Sequence, residues 1–306
     1  MRPEYFDQPC RSALNHVEGM PFEWTLNPYM GCAHRCTFCY VRSFERRADR
    51  PSGDAYGRRV RIKPNVAEVL RRELARPSWA REVVVVGAAT DPYQPIEGSR
   101  RLTRACLEAF VERGNPFGII TRGPLVVRDR DVLAEGSRRA RVTVDVSIPT
   151  LDPDLWRVTE PGTAPPAARL RAVRLLADAG IRVRVAMAPL LPGLSDRPES
   201  LANVVRAARD AGATSVWAGL LYLQAGTREH FLATLDAVWP EERARLEALY
   251  AGRAHLPKRV SAPVLARVAE LRRDTPRRAG APDPIEAEHV PEPEPPTFAE
   301  QLGLAL

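Results

Sequence analysis

Several features of membrane and secreted proteins are absent from this sequence of 306 residues. No apolar run approaches the roughly 20 residues that a transmembrane helix needs. Residues 1–6 contain no apolar stretch like that of a secretory signal. Cysteine is scarce, and three of the five cysteines lie close together, so these three cannot all pair as disulfides. These absences predict a globular protein of the reducing cytoplasm, with no membrane partner.

Lysine is nearly absent, since Lys63 and Lys258 are the only two, and arginine therefore carries the net charge of +7. Residues 279–306 contain six acids and no Lys or Arg, so the rest of the chain sums to +13. Such a charge attracts anionic partners. There is, however, no RNA-binding aromatic signature and no zinc-finger spacing, so charge alone does not identify a nucleic-acid-binding protein.

The three clustered cysteines, Cys32, Cys36 and Cys39, have the spacing Cys-x3-Cys-x2-Cys. Iron–sulfur clusters are usually held by four cysteines. Three cysteines with no obvious fourth indicate a four-iron cluster in which one iron is open to a ligand from outside the protein. A structural zinc site is the alternative, but such sites usually have two cysteine pairs or a pair with histidines. Here only His34 lies in the loop, and no second Cys-x2-Cys pair follows.

The pattern after the cysteine loop alternates between strands and helices, which favours a parallel sheet with right-handed crossovers. The predicted fold is α/β, a partial (β/α)6 barrel, because six units are too few for a closed eight-fold barrel. Six strands are predicted near Trp24 and over 82–87, 117–121, 141–148, 181–187 and 215–220. Helices are predicted over 64–76, 100–113, 129–139, 166–179, 198–211, 227–238 and 241–250.

The remaining segments do not belong to this alternation of strands and helices. Residues 1–26 have no regular pattern, and 1–20 are predicted to be an irregular N-terminal extension of a core domain over 21–260. Residues 42–63 read as a long loop. A helix over 261–275 is expected to follow the core. The Pro- and Glu-rich tail over 276–306 cannot bury enough apolar surface to fold and is predicted to be disordered.

Polar or turn-forming residues follow several of the predicted strands. Parallel strands present their carboxyl ends at one edge, where ligands bind in α/β folds. Any one of these segments is most simply an ordinary turn, but their recurrence at one edge argues for a site. Tyr93 and Glu97, beyond Asp91, are candidates for a catalytic side chain. Both could equally be structural, in a loop that Pro92 and Pro95 make rigid.

The cysteine spacing, with Phe38 just before the last cysteine, resembles the signature of the radical S-adenosylmethionine (SAM) superfamily. The sequences NPYMGC at 27–32 and TDPYQP at 90–95 resemble an uncharacterised branch of it. That branch is related to spore photoproduct lyase and carries the label "DNA repair photolyase". The resemblance extends over roughly residues 20–250 through further blocks at 125–129, 147–152, 160–162 and 188–193.

The resemblance implies an enzyme with two cofactors. Cys32, Cys36 and Cys39 would hold three irons of a [4Fe-4S] cluster, and SAM would chelate the fourth through its amino nitrogen and carboxylate. Reductive cleavage of SAM would give a 5′-deoxyadenosyl radical that abstracts hydrogen from a substrate. An external donor of the flavodoxin or ferredoxin type would supply the electron. Nucleic acid is one possible substrate class, and the oligomeric state is left open.

The resemblance also implies roles for individual residues near SAM. The adenine would lie beside Phe38, with Tyr40 behind the cluster loop. Thr90 and Asp91 would meet the SAM amino group, and Arg122 would pair with its carboxylate. Ser147 would contact the same end or the ribose. The structural alternatives are a surface arginine for Arg122 and a strand-end turn for Ser147.

The sequence departs from its lyase relatives in one important respect. Those enzymes use a cysteine as hydrogen donor near the end of the second strand, where this chain has Gly87, Ala88 and Ala89. Cys106 lies mid-helix among apolar residues and is expected in the core, and Cys10 is expected to be incidental. The photolyase label is therefore not supported as an activity, and no light-absorbing cofactor is implied.

Two other functions stay open. The first is a non-catalytic iron–sulfur or zinc module on a basic protein that binds nucleic acid. The second is a radical SAM enzyme that acts on a peptide or a small molecule. Many peptide-modifying relatives carry cysteines for auxiliary clusters. This sequence has no clear set of such cysteines, which slightly disfavours a peptide substrate.

Overall fold

The computed structural model describes residues 3–283. Its strands are β1 (Glu4–Asp7), β2 (Leu14–His16), β3 (Trp24–Leu26), β4 (Tyr29–Met30), β5 (Arg59–Ile62), β6 (Val84–Val86), β7 (Phe117–Thr121), β8 (Val142–Ser147), β9 (Val183–Leu190) and β10 (Ser215–Leu220). Its helices are α1 (Val41–Arg47), α2 (Val66–Leu74), α3 (Glu97–Arg100), α4 (Leu102–Arg113), α5 (Arg130–Arg139), α6 (Pro153–Thr159), α7 (Pro166–Asp178), α8 (Pro198–Asp210), α9 (Thr227–Val238), α10 (Pro240–Tyr250) and α11 (Lys258–Asp274). A 3-10 helix covers Pro124–Asp129.

The main sheet has seven strands in the order β10-β9-β8-β7-β6-β3-β2. Strand β2 is antiparallel to β3, and every other neighbouring pair is parallel. Six parallel strands in sequence order, joined through helices, are the strands of the predicted partial barrel. That prediction of the fold is confirmed.

Strand alternation decides which side chains meet the helices. In β8 the three valines are buried in the main apolar core, together with side chains of α7 and α8. Thr143, Asp145 and Ser147 therefore lie on the opposite, concave face. Helix α2 buries Val66, Val69, Leu70 and Leu74, as its spacing predicts.

Two segments predicted to be irregular contain regular structure. The first 26 residues include β1 and β2, and the predicted loop over 42–63 contains most of α1 and the whole of β5. Strands β1, β5 and β4 form a separate three-stranded sheet, with β1 parallel and β4 antiparallel to β5. The strands were missed because strands of two to four residues are too short to show alternation, and α1 was missed because its seven residues make only about two helical turns. The small sheet places β4 immediately before the cysteine loop.

The C-terminal helix α11 packs against β10 and α8, and its Val264, Val268 and Leu271 pack in the main apolar core. The predicted disorder of the tail falls largely on residues 284–306, which lie outside the described part of the chain. Across residues 3–283, every helix is too short or too polar to cross a membrane.

Candidate active site around the cysteine loop

The cysteine loop, residues 31–40, runs from the end of β4 to the start of α1. Cys32 and Cys36 are buried and Cys39 is half-buried, and all three are free thiols. Cys39 Sγ lies 3.6 Å from the hydroxyl of Tyr56. Burial raises the pKa of both the Cys36 and the Cys39 thiol. Within residues 3–283, no three His, Cys, Asp or Glu side chains are grouped to hold a single metal ion.

Gln94 fixes the start of this loop. Its side chain is fully buried, and its Oε1 accepts a hydrogen bond from the Ala33 amide at 3.0 Å. Its Nε2 donates to the carbonyl of Gly31 at 3.2 Å. One amide side chain therefore holds the backbone on both sides of Cys32.

Arg42 fixes the later part of the loop from inside the protein. It is almost completely buried, and its guanidinium donates to the carbonyls of Cys36 at 3.0 Å and Arg35 at 3.1 Å. The same group donates to the carbonyls of Ser52 and Gly53 at 2.7 and 2.8 Å. Arg42 therefore joins the loop to the segment before β5.

Two glycines let neighbouring backbone approach the loop closely. A Cβ atom on Gly57, whose φ is +73°, would lie 2.2 Å from the Cys32 carbonyl oxygen. A Cβ atom on Gly162 would lie 2.5 Å from the Ala33 carbonyl oxygen, and the Gly162 amide donates to the carbonyl of His34 at 3.0 Å. The path of the loop thus depends on residues that are distant in sequence.

Asp91, in the loop five residues after β6, is buried and surrounded by protein donors. Its Oδ1 accepts from the Tyr93 amide at 2.9 Å and from the Thr121 hydroxyl at 2.7 Å. Its Oδ2 accepts from the Arg122 amide at 2.6 Å and lies 3.2 Å from His34 Nδ1. The angle at His34 Nδ1 does not meet hydrogen-bonding geometry, but its distance from the carboxylate is that of an ion pair when His34 is protonated. These contacts occupy the acceptor sites of the carboxylate, which favours a positioning role over contact with a ligand.

The pKa values of Asp91 and His34 both differ from those of the free side chains. Burial alone would raise the pKa of Asp91, but the His34 charge and the hydrogen bonds lower it to about 2. Burial alone would lower the pKa of His34, but the charges of Asp91 and Cys32 raise it to about 10. The pair is therefore charged near neutral pH.

Arg122, at the end of β7, lies between the loop and a buried carboxylate. Its Nε donates to Glu160 Oε1 at 2.7 Å, and Nη2 donates to the Ala188 carbonyl at 3.0 Å. Its guanidinium carbon lies 5.6 Å from the centre of the Phe38 ring. Burial lowers the pKa of Arg122, but the charges of Cys36 and Glu160 outweigh this effect and raise it. Arg122 thus puts a positive charge beside the Cys36 thiol.

Glu160 is fully buried and also binds Arg169, whose Nη1 lies 3.0 Å from Oε1. The fully buried Arg169 donates further to the carbonyl of Ser147 at 2.9 Å. An Arg–Glu–Arg cluster therefore connects the ends of β7 and β8 to the segment that packs on the cysteine loop.

The other predicted SAM contacts lie at the same edge. The Thr90 hydroxyl donates to the Tyr29 carbonyl at 3.2 Å, and the Thr90 amide donates to Asn27 Oδ1 at 3.2 Å. The Tyr40 hydroxyl donates to the carbonyl of Ala88. Ser147 is buried, and Phe38 packs in a second apolar cluster with side chains of α9 and α10. The fold thus brings the predicted residues together around one loop.

The two candidate catalytic residues are placed in buried networks. The hydroxyl of Tyr93 donates to Asp129 Oδ2 at 3.1 Å. Glu97 is fully buried, accepts from the hydroxyl of Tyr29, and pairs with Arg128 at 2.7 Å. These partners favour the structural alternative for both side chains.

Gln94, Arg42 and Glu160 hold the loop and its neighbours, although the sequence did not predict a role for them. Gln94 and Glu160 lie inside the segments 90–95 and 160–162, which resemble the family. Their position in these segments was the signal from which a role could have been inferred. Arg42 gave no signal, because arginine is common throughout the chain and is usually exposed.

The arrangement suits a soft metal centre beside a charged ligand. Thiolates are the ligands that iron–sulfur clusters require. The adjacent Arg122 is a fixed cation, because its Nε and Nη2 donate to the Glu160 carboxylate and the Ala188 carbonyl. Its third nitrogen, Nη1, makes no hydrogen bond to either of these two groups. The residues present therefore fit a cluster with an anionic group bound nearby.

Comparison with models of protein families identifies the family of this chain. The model of the Radical SAM superfamily matches residues 26–205. An uncharacterised protein of Mycobacterium tuberculosis (strain ATCC 25618 / H37Rv) is 39% identical over 265 residues, covering 86% of this chain and 78% of the relative.

Solved structures of spore photoproduct lyase share the fold. One, complexed with dinucleoside spore photoproduct, gives a TM-score of 0.61 at 14% identity, over 87% of this chain and 78% of that chain. A double mutant with bound AdoMet and the same dinucleoside gives 0.55 at 14% identity, over 78% of this chain and 66% of that chain.

Proposed function

Because this chain belongs to the radical SAM superfamily, we propose that Cys32, Cys36 and Cys39 bind a [4Fe-4S] cluster and that SAM binds beside it. The family is one of enzymes and implies both cofactors. When bound, these cofactors supply reductive cleavage of SAM and a 5′-deoxyadenosyl radical that abstracts hydrogen from a substrate. The zinc and non-catalytic modules remain as competing functions that experiment can exclude.

The observation that carries this proposal is the state of the three cysteines. They are free, lie on one loop, and are held in place by Gln94 and Arg42. In a four-iron cluster each thiolate binds a different iron, so the three sulfurs need not converge on one ion. A mononuclear zinc site would require such convergence, because each Zn–S bond is only about 2.3 Å long.

Arg122 is the residue best placed to bind the SAM carboxylate. Two of its nitrogens are already fixed, so the remaining one is held in a defined direction at little entropic cost. Asp91 then acts by positioning, since it holds the Arg122 backbone and His34. Thr90, Phe38, Tyr40 and Ser147 remain proposed contacts at the same edge.

For the substrate we propose nucleic acid, with a peptide or small molecule as the competing classes. The support is the positive charge of the chain and the shared fold with an enzyme solved with a dinucleoside. Residues 87–89, directly after β6, contain no cysteine, and Cys106 is fully buried in the core. A hydrogen donor equivalent to the cysteine of the lyase relatives is therefore absent from that position. The electron is proposed to come from a flavodoxin or ferredoxin.

Anaerobic reconstitution tests the proposal. Wild-type protein treated with iron and sulfide should gain about four irons and four sulfides per chain. Addition of dithionite and SAM should then yield 5′-deoxyadenosine. Cys36→Ala should lose the cluster, whereas Cys10→Ser removes a thiol outside the loop and should retain it. Stoichiometric zinc without sulfide, or a full cluster that never cleaves SAM, would contradict the proposal.

A further inference from the structure

The concave face of the sheet carries three connected side chains that the site above does not use. Asp145 of β8 binds Arg184 of β9 through two hydrogen bonds, Nε to Oδ1 at 2.9 Å and Nη2 to Oδ2 at 2.6 Å. The indole Nε1 of Trp217 in β10 donates to Oδ1 of the same carboxylate at 2.8 Å. We call Asp145, Arg184 and Trp217 the Trp217 platform.

The platform is rigid and yet open to solvent. Asp145 is buried, whereas Trp217 is 36% exposed and the Arg184 side chain is 40% exposed. Among the large apolar side chains exposed within residues 3–283, Trp217 is the one aromatic. One buried carboxylate therefore holds a planar guanidinium and an indole in fixed orientations. Both groups have few rotamers left to lose when a ligand binds.

The neighbours of the platform on this face are small residues. Trp217 pairs in register with Ala186, and a Cβ atom added to Gly219 would lie in ordinary contact with Ala188 at 3.7 Å and with the Trp217 ring at 3.8 Å. Arg184 and Ala188 are four residues apart on β9, or about 13 Å. The Ala188 carbonyl accepts from Arg122, at the cysteine loop. A ligand on the platform therefore lies on the same face as the candidate site.

We propose that the Trp217 platform binds a nucleobase of single-stranded nucleic acid by stacking. Aromatic rings and arginine planes are the surfaces on which unpaired bases stack. Asp145 neutralises Arg184, so the platform itself presents a flat surface without net charge, which suits a base. The phosphates are attracted by the rest of the chain, whose charge is +13 outside the acidic tail. The inference rests on the proposed function insofar as the bound strand is the substrate.

Anisotropy of a short fluorescein-labelled single strand, measured with the full-length protein, tests the platform. Trp217→Ala should raise Kd about tenfold or more, and Trp217→Phe should restore most of the affinity because a ring remains. Arg184→Lys keeps the charge but loses the plane, and should also weaken binding several-fold. Arg267→Lys alters an exposed, paired arginine on α11 and should leave Kd unchanged.

Three results would overturn the inference. The first is unchanged affinity in Trp217→Ala with its fold intact by circular dichroism. The second is wild-type protein that binds a peptide but no strand. The third is a mononucleotide that competes as well as the strand. Formation of 5′-deoxyadenosine by the wild-type protein without any strand reports separately on the proposed function, so the two failures are distinguishable.

Discussion

The hydrogen bonds of Gln94 give a sharp test of how the cysteine loop is held. Gln94→Leu keeps a side chain of similar size but leaves the Ala33 amide and the Gly31 carbonyl without partners. A buried polar group without a partner costs about 1–3 kcal/mol. Gly31 and Ala33 are only half-buried, so water can replace part of each bond. We therefore expect a loss of about 2–4 kcal/mol in the free energy of the ordered loop.

Two measurements on the metal-free protein report this loss. Hydrogen exchange of the Ala33 amide should speed up by roughly 30-fold or more, since about 1.4 kcal/mol corresponds to tenfold. Urea denaturation reports the free energy of unfolding of the whole chain. Iron bound after reconstitution should fall, because Cys32 lies between the two affected groups. Gln8→Leu is the matched control, since the Gln8 side chain is exposed and accepts one long hydrogen bond, from Arg61 at 3.4 Å.

Unchanged exchange of the Ala33 amide in Gln94→Leu, with full iron content, would refute the reasoning. The result would mean that Gly57, Gly162 and Arg42 alone determine the path of the loop. Faster exchange in the Gln8→Leu control would also count against it, because the effect would then not be specific to the buried side chain.

Three further predictions concern the same site. Gly162→Ala should destabilise the protein by about 1–3 kcal/mol in urea denaturation, because the loop backbone must move away, whereas Gly53→Ala meets no atom within 4 Å and should be neutral. Glu160→Gln should cost about 3–5 kcal/mol by the same assay, because the buried Arg169 and the half-buried Arg122 lose their countercharge, and a change below 1 kcal/mol would contradict the ion-pair assignment. In metal-free protein, the stability contributed by Asp91 should be lost as pH falls from about 4 toward 2, because the pKa of Asp91 is lowered in the folded state. The stability contributed by His34 should be lost as pH rises from about 6.5 toward 10, because its pKa is raised in the folded state. Denaturation midpoints that do not change over these two pH ranges would argue against the pair.

Much of the fold could be predicted because its signals are local. The run of valines at β6 and the alternation in β8 place those strands without knowledge of their partners. The small sheet of β1, β5 and β4 could not be predicted in this way. Its strands are short, and β1 pairs with residues more than 50 positions later, so only tertiary packing makes them regular.

The candidate site also has features that the sequence could predict and features that it could not. The spacing of Cys32, Cys36 and Cys39 is a property of one short segment, so the sequence alone predicts a metal centre there with one ligand position open. Only the tertiary structure decided that Asp91 is occupied by protein donors and that Gln94 holds the loop. A carboxylate or amide has the same local sequence signal whether it meets ligand or backbone. Its role depends on which donors the fold brings to it from distant positions, and that is fixed by packing.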